Sequence, residues 1–382
     1  MKNVIPYGKQ SLSQDDIDSV ISVLKSDYWT QGPKINEFEN AFAAYIGCKY
    51  AVAVANGTAA LHLCALALDV DANTNVITTP ITFAASSNCI KYCGGNVFFA
   101  DIDPESFLLD INKVKELIAS KPKGFFKGMV PVDFAGHAVN LGAFRELADE
   151  HGLWIIEDAC HAPGGYFTDS NGKQQNCGNG NFADLAIFSF HPVKHIACGE
   201  GGMITTNNKK LYEKLLQLRT HGITKDPALM QENHGGWYME MQMLGYNYRI
   251  PDVLCALGVS QLKRAAEGLE RRHEIADIYT EKLAGLPIIL PKYDKGHGFH
   301  LYIIQTKQRK ELYDYLRTKN ILAQVHYIPT HLMPYYKQQG WKKGDFPLAE
   351  HYYEQCLSLP MYPTLTKEEQ EFVIASIKEF FK

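Results

Sequence analysis

Apolar residues recur at helical intervals near the start of the chain. One set is Ile17, Val20, Ile21 and Leu24, and a second set is Ile35, Phe38, Phe42 and Tyr45. Each set predicts an amphipathic helix with one face against a core. Ser13 and Asp16 precede the first set with the spacing of a capping box, so we expect this helix to begin directly after Ser13.

The next part of the chain alternates helical stretches with short runs that are apolar almost throughout. Seven such runs occur, namely Tyr50–Val54, Asn75–Thr78, Val97–Ala100, Gly128–Val132, Leu153–Ile156, Leu185–Phe188 and Met203–Thr205. Continuous hydrophobicity is typical of strands buried on both faces, as in a parallel sheet covered by helices. We therefore predict an α/β domain with a large, mostly parallel seven-stranded sheet.

After Pro251 the pattern changes, which predicts a second, smaller domain. We expect one long helix over Gly258–Leu286, and then shorter elements, with strands at Leu301–Gln305 and Ile321–Val325 and helices at Lys310–Lys319 and Thr366–Phe381. This organisation gives a large α/β domain over residues 1–250 and a small α+β domain over residues 251–382. A cleft between two such domains is a natural ligand site.

The composition fits an ordinary globular protein and argues against several function classes. The 382 residues carry a net charge of −4, and 46% are hydrophobic and 21% charged, which is unlike a disordered chain. This charge balance gives no basis for binding nucleic acid or an anionic membrane. No apolar run reaches the roughly 18 residues of a membrane helix, and the first residues do not resemble a secretory signal.

The nine cysteines are odd in number and lie mostly in apolar surroundings. Reduced, buried thiols in a cytoplasmic protein are the natural interpretation. Cys89 and Cys93 are four residues apart, but a metal site there would need two further ligands that the local sequence does not offer. We therefore expect no metal.

Two segments place polar residues directly after predicted strands. In VAVANGTAA, the turn at Gly57 and Thr58 leads into a helix, and the amides of a helix start can hold a phosphate. The simpler interpretation is a strand–turn–helix unit with Thr58 as the N-cap. In LWIIEDACHAP, Asp158 follows a buried strand and could pair with a protonated ring nitrogen, or could merely cap the next segment.

Two further segments offer an amine and a polar loop. Lys194, in SFHPVKHIACG, has few charged neighbours, so burial could lower its pKa and make it a nucleophile. As an isolated residue it would more often be a surface lysine. Asn247 lies in LGYNYRIPD, which periodicity alone cannot distinguish from a simple domain junction.

Taken together, these features match the needs of pyridoxal 5'-phosphate (PLP). The cofactor requires a lysine amine, a carboxylate for its pyridine nitrogen and a phosphate site. It also needs a ring cover, for which Phe83 in TTPITFAASSN is a candidate. A dinucleotide-dependent dehydrogenase is not supported, because no GxGxxG follows the first strand.

These motifs, in this order, resemble the DegT/StrS family of sugar-nucleotide aminotransferases. The similarity runs from Thr30 to about Tyr362 and includes TTPITFAASSN, EDACHAPG, FSFHPVKHIACGEGGMITTN and GYNYRIPD. Within the family, SFHPVKHI and ILAQVHYIPTHLMPYY most resemble the branch that acts in pseudaminic acid biosynthesis. The resemblance implies a fold type I PLP-dependent transferase and a homodimer with active sites at the subunit interface.

The resemblance also implies roles for individual residues. Lys194 would form the covalent aldimine with PLP and Asp158 would hold the pyridine nitrogen protonated. The other cofactor-binding positions would be Gly57, Thr58, Ala59, Phe83, His161, Ser189 and, from the neighbouring subunit, Asn247. The substrate-binding positions would be Tyr7, Asp27, Tyr28, Trp29, Thr30, Gln324, Val325, His326 and Tyr327.

The implied reaction moves an amino group from glutamate to the C4 keto group of a UDP-linked 4-keto-6-deoxy-N-acetylhexosamine. Some relatives carry His at the aldimine position and act as sugar dehydratases, whereas this chain has Lys194. Amino transfer is therefore favoured. The alternatives are an aminotransferase for another nucleotide-linked ketosugar, modified at C3 or C4, or a PLP-dependent dehydratase.

Overall fold

The structure is a computed structural model, and it describes residues 4–382. In chain order the strands are β1 (Ile5–Pro6), β2 (Tyr50–Val54), β3 (Asn75–Thr78), β4 (Asn96–Phe99), β5 (Phe126–Val130), β6 (Trp154–Asp158), β7 (Tyr166–Thr168), β8 (Gln174–Asn176), β9 (Leu185–Ser189), β10 (Gly202–Thr206), β11 (Ile223–Thr224), β12 (Glu240–Met241), β13 (Tyr302–Gln305), β14 (Ile321–Leu322) and β15 (Cys356–Leu359).

The α-helices in chain order are α1 (Gln14–Leu24), α2 (Pro33–Ile46), α3 (Gly57–Ala67), α4 (Ala85–Tyr92), α5 (Ile111–Ala119), α6 (Leu141–His151), α7 (Lys209–Arg219), α8 (Asp252–Leu262), α9 (Ala265–Leu283), α10 (Arg309–Thr318), α11 (Pro334–Lys337), α12 (Pro347–Gln355) and α13 (Lys367–Phe380). Two short 3-10 helices lie at Phe134–Gly136 and Thr330–Leu332.

A seven-stranded sheet forms the centre of the molecule, in the order β2-β10-β9-β6-β5-β3-β4. Strand β10 runs antiparallel to β2 and β9, and the other neighbours pair in parallel. All seven predicted runs are strands of this sheet, with ends that differ from the prediction by at most two residues. Most of their residues are buried, which is why uninterrupted apolar runs identified them. The predicted α/β fold is confirmed.

Helix α1 has the predicted capping box, but its predicted apolar face is not buried in the single chain. Ile17, Ile21 and Leu24 are exposed, whereas the carboxylate of Asp16 is fully buried. It accepts hydrogen bonds from Gln261 and Arg264 and from the backbone amide of Ser13. Polar contacts therefore anchor α1, and periodicity alone did not show which face is covered.

The prediction of one long helix after Pro251 was wrong, because the chain forms α8 and α9 with a break between them. Arg264 lies at the break with a non-helical backbone (φ −113°, ψ 15°). Its guanidinium bonds Asp16 and the carbonyl oxygen of Ser11. Neither Gly nor Pro marks the break, so the sequence pattern carried no signal for it. The strand predicted at Ile321–Val325 is also shorter, ending at Leu322.

The C-terminal part of the chain has a hydrophobic core of its own. Residues of α9, α10, α13, β13 and β15 form it, and Ile5 of β1 joins them. Strand β1 pairs in parallel with β14, so the first described residues pack with the C-terminal part. The domain boundary at residue 250 stays a prediction. Over residues 4–382, no helix has the length and hydrophobicity to cross a membrane.

Candidate active site

A cavity of about 660 Å3 lies at the carboxyl ends of the central strands, where ligands bind in open α/β sheets. Most of the residues predicted for the cofactor line it. The predicted positions on its wall are Tyr7, Gly57, Thr58, Ala59, Phe83, Asp158, His161, Ser189, Lys194, His326 and Tyr327. Positions that are more than 250 residues apart in sequence therefore meet in one site.

The start of α3 forms a small cup on the wall of this cavity. Asn56, not Thr58, is the N-cap, and its side-chain oxygen accepts from the amide of Ala59 at 2.8 Å. The amides of Gly57 and Thr58 precede any intrahelical acceptor and stay available to an anion. A Cβ at Gly57 would lie 3.0 Å from the Cβ of Ser189, so the cup needs glycine to keep its shape.

Asp158 ends β6 and presents a buried carboxylate to the cavity. Its Oδ2 accepts from the hydroxyl of Ser86 at 2.6 Å, and its Oδ1 accepts from the amide of Cys160 at 3.2 Å. These two bonds fix the orientation of the group. An oriented carboxylate of this kind can pair with a cationic ring nitrogen.

Lys194 lies in the turn that follows β9 and lines the same cavity. Its backbone amide donates to the carbonyl oxygen of His191 at 2.8 Å, which closes the turn. Burial lowers the pKa of its ammonium group, and the neighbouring Cys160 and Asp158 only partly oppose the effect. A lowered pKa makes a neutral, nucleophilic amine more accessible.

His161 is a buried neutral side chain beside Tyr327. Its Nδ1 accepts from the amide of Ala135 at 3.2 Å, so the ring proton lies on Nε2, 3.4 Å from the hydroxyl of Tyr327. Burial holds the pKa of His161 well below its usual range, and the charge of Lys194 acts in the same direction. The ring can therefore pack on a ligand without adding charge.

Seven predicted positions do not line the cavity in the single chain. They are Asp27, Tyr28, Trp29, Thr30, Gln324, Val325 and Asn247. The turn at residues 27–30 and Asn247 are exposed, while Gln324 and Val325 are half-buried. A role for them in this site would need a second copy of the chain or a movement of these segments.

Ser86 and His300 are two of the cavity residues that the sequence reasoning missed. Ser86 binds Asp158 directly. It is buried in the first turn of α4, whereas Phe83 precedes the helix and is exposed, so the spacing of the two residues gave no signal for Ser86. His300 packs on His161, with 4.3 Å between ring centroids. It comes from the C-terminal part of the chain, and no pattern near it in the sequence indicated a site.

The cavity brings together a lysine with a lowered pKa, an oriented carboxylate and a helix-start cup. These groups fit PLP, because its aldehyde, pyridine nitrogen and phosphate need these three kinds of partner. The large, mostly parallel sheet with this site at its carboxyl edge is the architecture of a PLP-dependent transferase of fold type I.

Comparison with known proteins identifies the family. Residues 10–378 match the DegT/DnrJ/EryC1/StrS aminotransferase family, and the chain belongs to this family. It is therefore a sugar aminotransferase, and PLP is the cofactor that the family uses.

Individual relatives match over almost their whole length. The spore coat polysaccharide biosynthesis protein SpsC of Bacillus subtilis is 37% identical, over 99% of this chain and 97% of its own. A UDP-4-amino-4,6-dideoxy-N-acetyl-beta-L-altrosamine transaminase of Campylobacter jejuni is 36% identical, over 97% and 96%. The structure of Helicobacter pylori PseC, an aminotransferase of pseudaminic acid biosynthesis, superposes with a TM-score of 0.89 at 30% identity, covering 99% of both chains.

Proposed function

We propose that this enzyme transfers an amino group from glutamate to the C4 keto group of a UDP-linked 4-keto-6-deoxy-N-acetylhexosamine, in pseudaminic acid biosynthesis. The similarity to the Campylobacter transaminase and to PseC supports this substrate. The observation that carries the chemistry is the placement of Lys194 and Asp158 on one cavity wall. A dehydratase is disfavoured, because the position that is His in such relatives is Lys194.

Lys194 is proposed to hold the cofactor covalently through Nζ. When bound, PLP supplies an electron sink for the charge that develops when the α-proton of the donor leaves. The Nζ of Lys194 would be the base that takes this proton and later returns one, and its lowered pKa favours the neutral form that this requires. Asp158 would hold the pyridine nitrogen protonated through a charged hydrogen bond.

The remaining residues orient the two ligands. Gly57, Thr58, Ala59 and Ser189 are proposed to surround the cofactor phosphate, with Thr58 donating its hydroxyl. The amide of Ala59 already donates to the side chain of Asn56. Ala59 is therefore proposed to shape the cup and not to donate to the phosphate. Phe83 and His161 are proposed to cover the ring. For the sugar nucleotide we propose Tyr7 with the segments at residues 27–30 and 324–327.

We propose a homodimer with shared active sites. Among the cavity-lining residues that the structure describes, Lys194 is the only lysine or arginine. Both the nucleotide diphosphate and glutamate are anions, so their charges need cations from elsewhere. The segment from Thr224 to Asn247 exposes apolar side chains, with Trp237 at 78% and Leu244 at 77% of their full exposure. A second copy that covers this segment would bring Asn247 to the neighbouring site.

We place the protein in the cytoplasm. All nine cysteines are free in the structure, as expected for a reducing compartment.

The decisive experiment incubates purified protein with glutamate and a panel of UDP- and dTDP-linked ketosugars. We expect 2-oxoglutarate and a 4-amino UDP-sugar, identified by mass and NMR. Lys194→Ala should remove both the turnover and the visible absorbance of the cofactor, and Lys263→Ala, at an exposed position, should change neither. Turnover by Lys194→Ala would refute the role of this lysine. Amination of a dTDP-sugar alone would refute the substrate.

A further inference from the structure

A second cavity, of about 280 Å3, also reaches Lys194. Apart from Lys194, it shares no lining residue with the active-site cavity. Its wall comes from the segment at Lys9–Ser11, the residues that follow Lys194, the junction of α8 and α9, and Pro363. Lys9 and Gln10 are exposed, so the cavity opens to solvent independently of the substrate site.

Positive charge dominates this second cavity. Four cations other than Lys194 line it, namely Lys9, Arg264, Arg271 and Arg272, against one carboxylate among the described residues, that of Glu267. Two of the four are already paired, because Arg264 binds Asp16 and Arg271 binds Glu274. Lys9 and Arg272 form no salt bridge with any residue between positions 4 and 382.

Arg272 is the unusual member of this group, because its guanidinium is buried without a counter-ion. The residue is only 1% exposed. Its Nη1 donates to the carbonyl oxygens of Phe299, His300 and Met361, and its Nε has no acceptor within the described chain. A buried charge that is bonded only to neutral groups is costly, and an anion close to it would offset that cost.

The first turn of α9 adds to the positive potential. Glu267 and Gly268 of this turn line the cavity, and the N-cap residue Arg264 makes no side-chain capping bond. The helix has 19 residues, so the partial positive charge of its first amides is fully developed. The helix dipole and the cationic side chains therefore both make the potential in this cavity more positive.

From these contacts we infer that the cavity lined by Lys9, Arg264, Arg271 and Arg272 is a binding site for a small oxyanion of the phosphate class. The volume admits such an ion together with a few water molecules. An anion bound there would lie beside Lys194 without touching the substrate cavity, and it would offset the charge of Arg272 next to the catalytic amine. The phosphate concentration of the medium would then change the electrostatic environment of the Lys194 amine.

Isothermal titration of inorganic phosphate into the full-length, PLP-saturated protein tests this site. PLP saturation fills the cofactor phosphate site, so phosphate cannot enter it. We expect saturable binding with one ion per chain. The double variant Lys9→Ala/Arg271→Gln should weaken binding by roughly tenfold or more, because two of the cations are removed. Lys263→Ala removes an exposed lysine close to the cavity that does not line it, and should leave binding unchanged.

Should the double variant fail to fold, as judged by circular dichroism, Lys9→Ala alone replaces it, since Lys9 is exposed and unpaired. This variant should also bind phosphate more weakly than the parent protein does. Absence of saturable binding would overturn the inference. So would an affinity that is the same in the parent and the Lys9 variants, because the phosphate would then occupy another place. The result does not depend on the sugar substrate.

Discussion

The hydrogen bonds around Asp158 show how single residues set the chemistry of this site. Ser86 and the amide of Cys160 hold the carboxylate from two sides, and the group is buried at the end of β6. A carboxylate that is fixed in this way cannot turn away from a ring nitrogen in front of it. A change at Asp158 should therefore affect the rate of the reaction more than the affinity for the cofactor.

Asp158→Asn should keep the cofactor bound but reduce kcat by roughly 100-fold or more, because a neutral amide cannot hold the pyridine nitrogen protonated. The measurement is steady-state turnover together with the visible spectrum of the cofactor. Ser86→Ala is the matched variant. It removes one bond to the same carboxylate and should reduce turnover in the same direction by a smaller factor. A near-normal rate for Asp158→Asn would contradict the assigned role.

The functional residues that follow the strands could be predicted from the sequence, but the residues that contact them in the fold could not. Asp158 and Lys194 follow apolar runs, and the resemblance to a family added His161 and Tyr327. Ser86 and His300 contact this group through the fold, and nothing in the strand-end pattern pointed to them. The N-cap of α3 was also misassigned to Thr58, because both Asn56 and Thr58 are good capping residues.

At the level of elements, the phosphate cup depends on the close approach of β10 to the turn before α3. A Cβ at Gly202 would lie 2.5 Å from the carbonyl oxygen of Asn56 and 2.9 Å from the amide nitrogen of Gly57. Both are backbone atoms that cannot move away without shifting the start of α3. The position of strand β10 therefore determines the shape of the cup.

Gly202→Ala should displace the cup and weaken PLP binding by roughly tenfold or more, while the protein stays folded. Titration of the apoprotein with PLP, followed by absorbance, gives the affinity. Gly142→Ala, in α6 and away from the cavity, is a suitable control, because a Cβ there would come closest to the exposed side chain of Asn140, at 3.3 Å from its Oδ1. Unchanged PLP affinity in Gly202→Ala would show that the cup tolerates the displacement.

The contribution of helix α1 to stability should depend on pH, because the buried carboxylate of Asp16 anchors this helix. Burial raises the pKa of this carboxyl, but the bonds from Arg264 and Ser13 outweigh burial and lower it to about 2. Since the folded pKa lies below the unfolded one, the stabilisation is present above about pH 4 and is lost as the pH falls towards 2. The shift corresponds to about 2 kcal/mol at neutral pH.

Asp16→Asn should therefore lower the free energy of unfolding at pH 7, and the difference from the parent protein should shrink as the pH approaches 2. Urea unfolding at a series of pH values gives this difference. Asp15→Asn, at the exposed neighbouring position, should show no such loss. A difference for Asp16→Asn that is independent of pH would refute the anchoring by charge.

Elements buried on both sides were the easiest to predict, because their pattern does not depend on a partner. The seven central strands are of this kind. The break between α8 and α9 was missed because no Gly or Pro marks it, and because the partners of Arg264 at the break, Asp16 and Ser11, are far away in sequence. The prediction that the apolar face of α1 packs against a core was wrong for the single chain, in which Ile17 and Leu24 are exposed. In the proposed homodimer, a second copy of the chain would cover this face.

At the scale of the whole molecule, the proposed homodimer would explain both the exposed apolar surface and the small number of cations in the active-site cavity. Trp237, Leu244 and the face of α1 would be covered in a homodimer, and the same contact would bring Asn247 and further polar groups to the opposite cavity. A C2 interface would do this at both sites at once. The single chain contains the reactive groups, and the pair would complete the substrate site.

Mixing two inactive variants tests the shared site. Lys194→Ala and Asn247→Ala should each have little activity, and each alone should sediment at twice the chain mass of 42.9 kDa. After subunit exchange, a mixed dimer has one site with both changes and one site with neither. Activity should therefore recover to about a quarter of the parent level, since half of the dimers are mixed and each has one intact site. If Asn247 served the site of its own chain, every site in the mixture would lack either Lys194 or Asn247, and no activity would return.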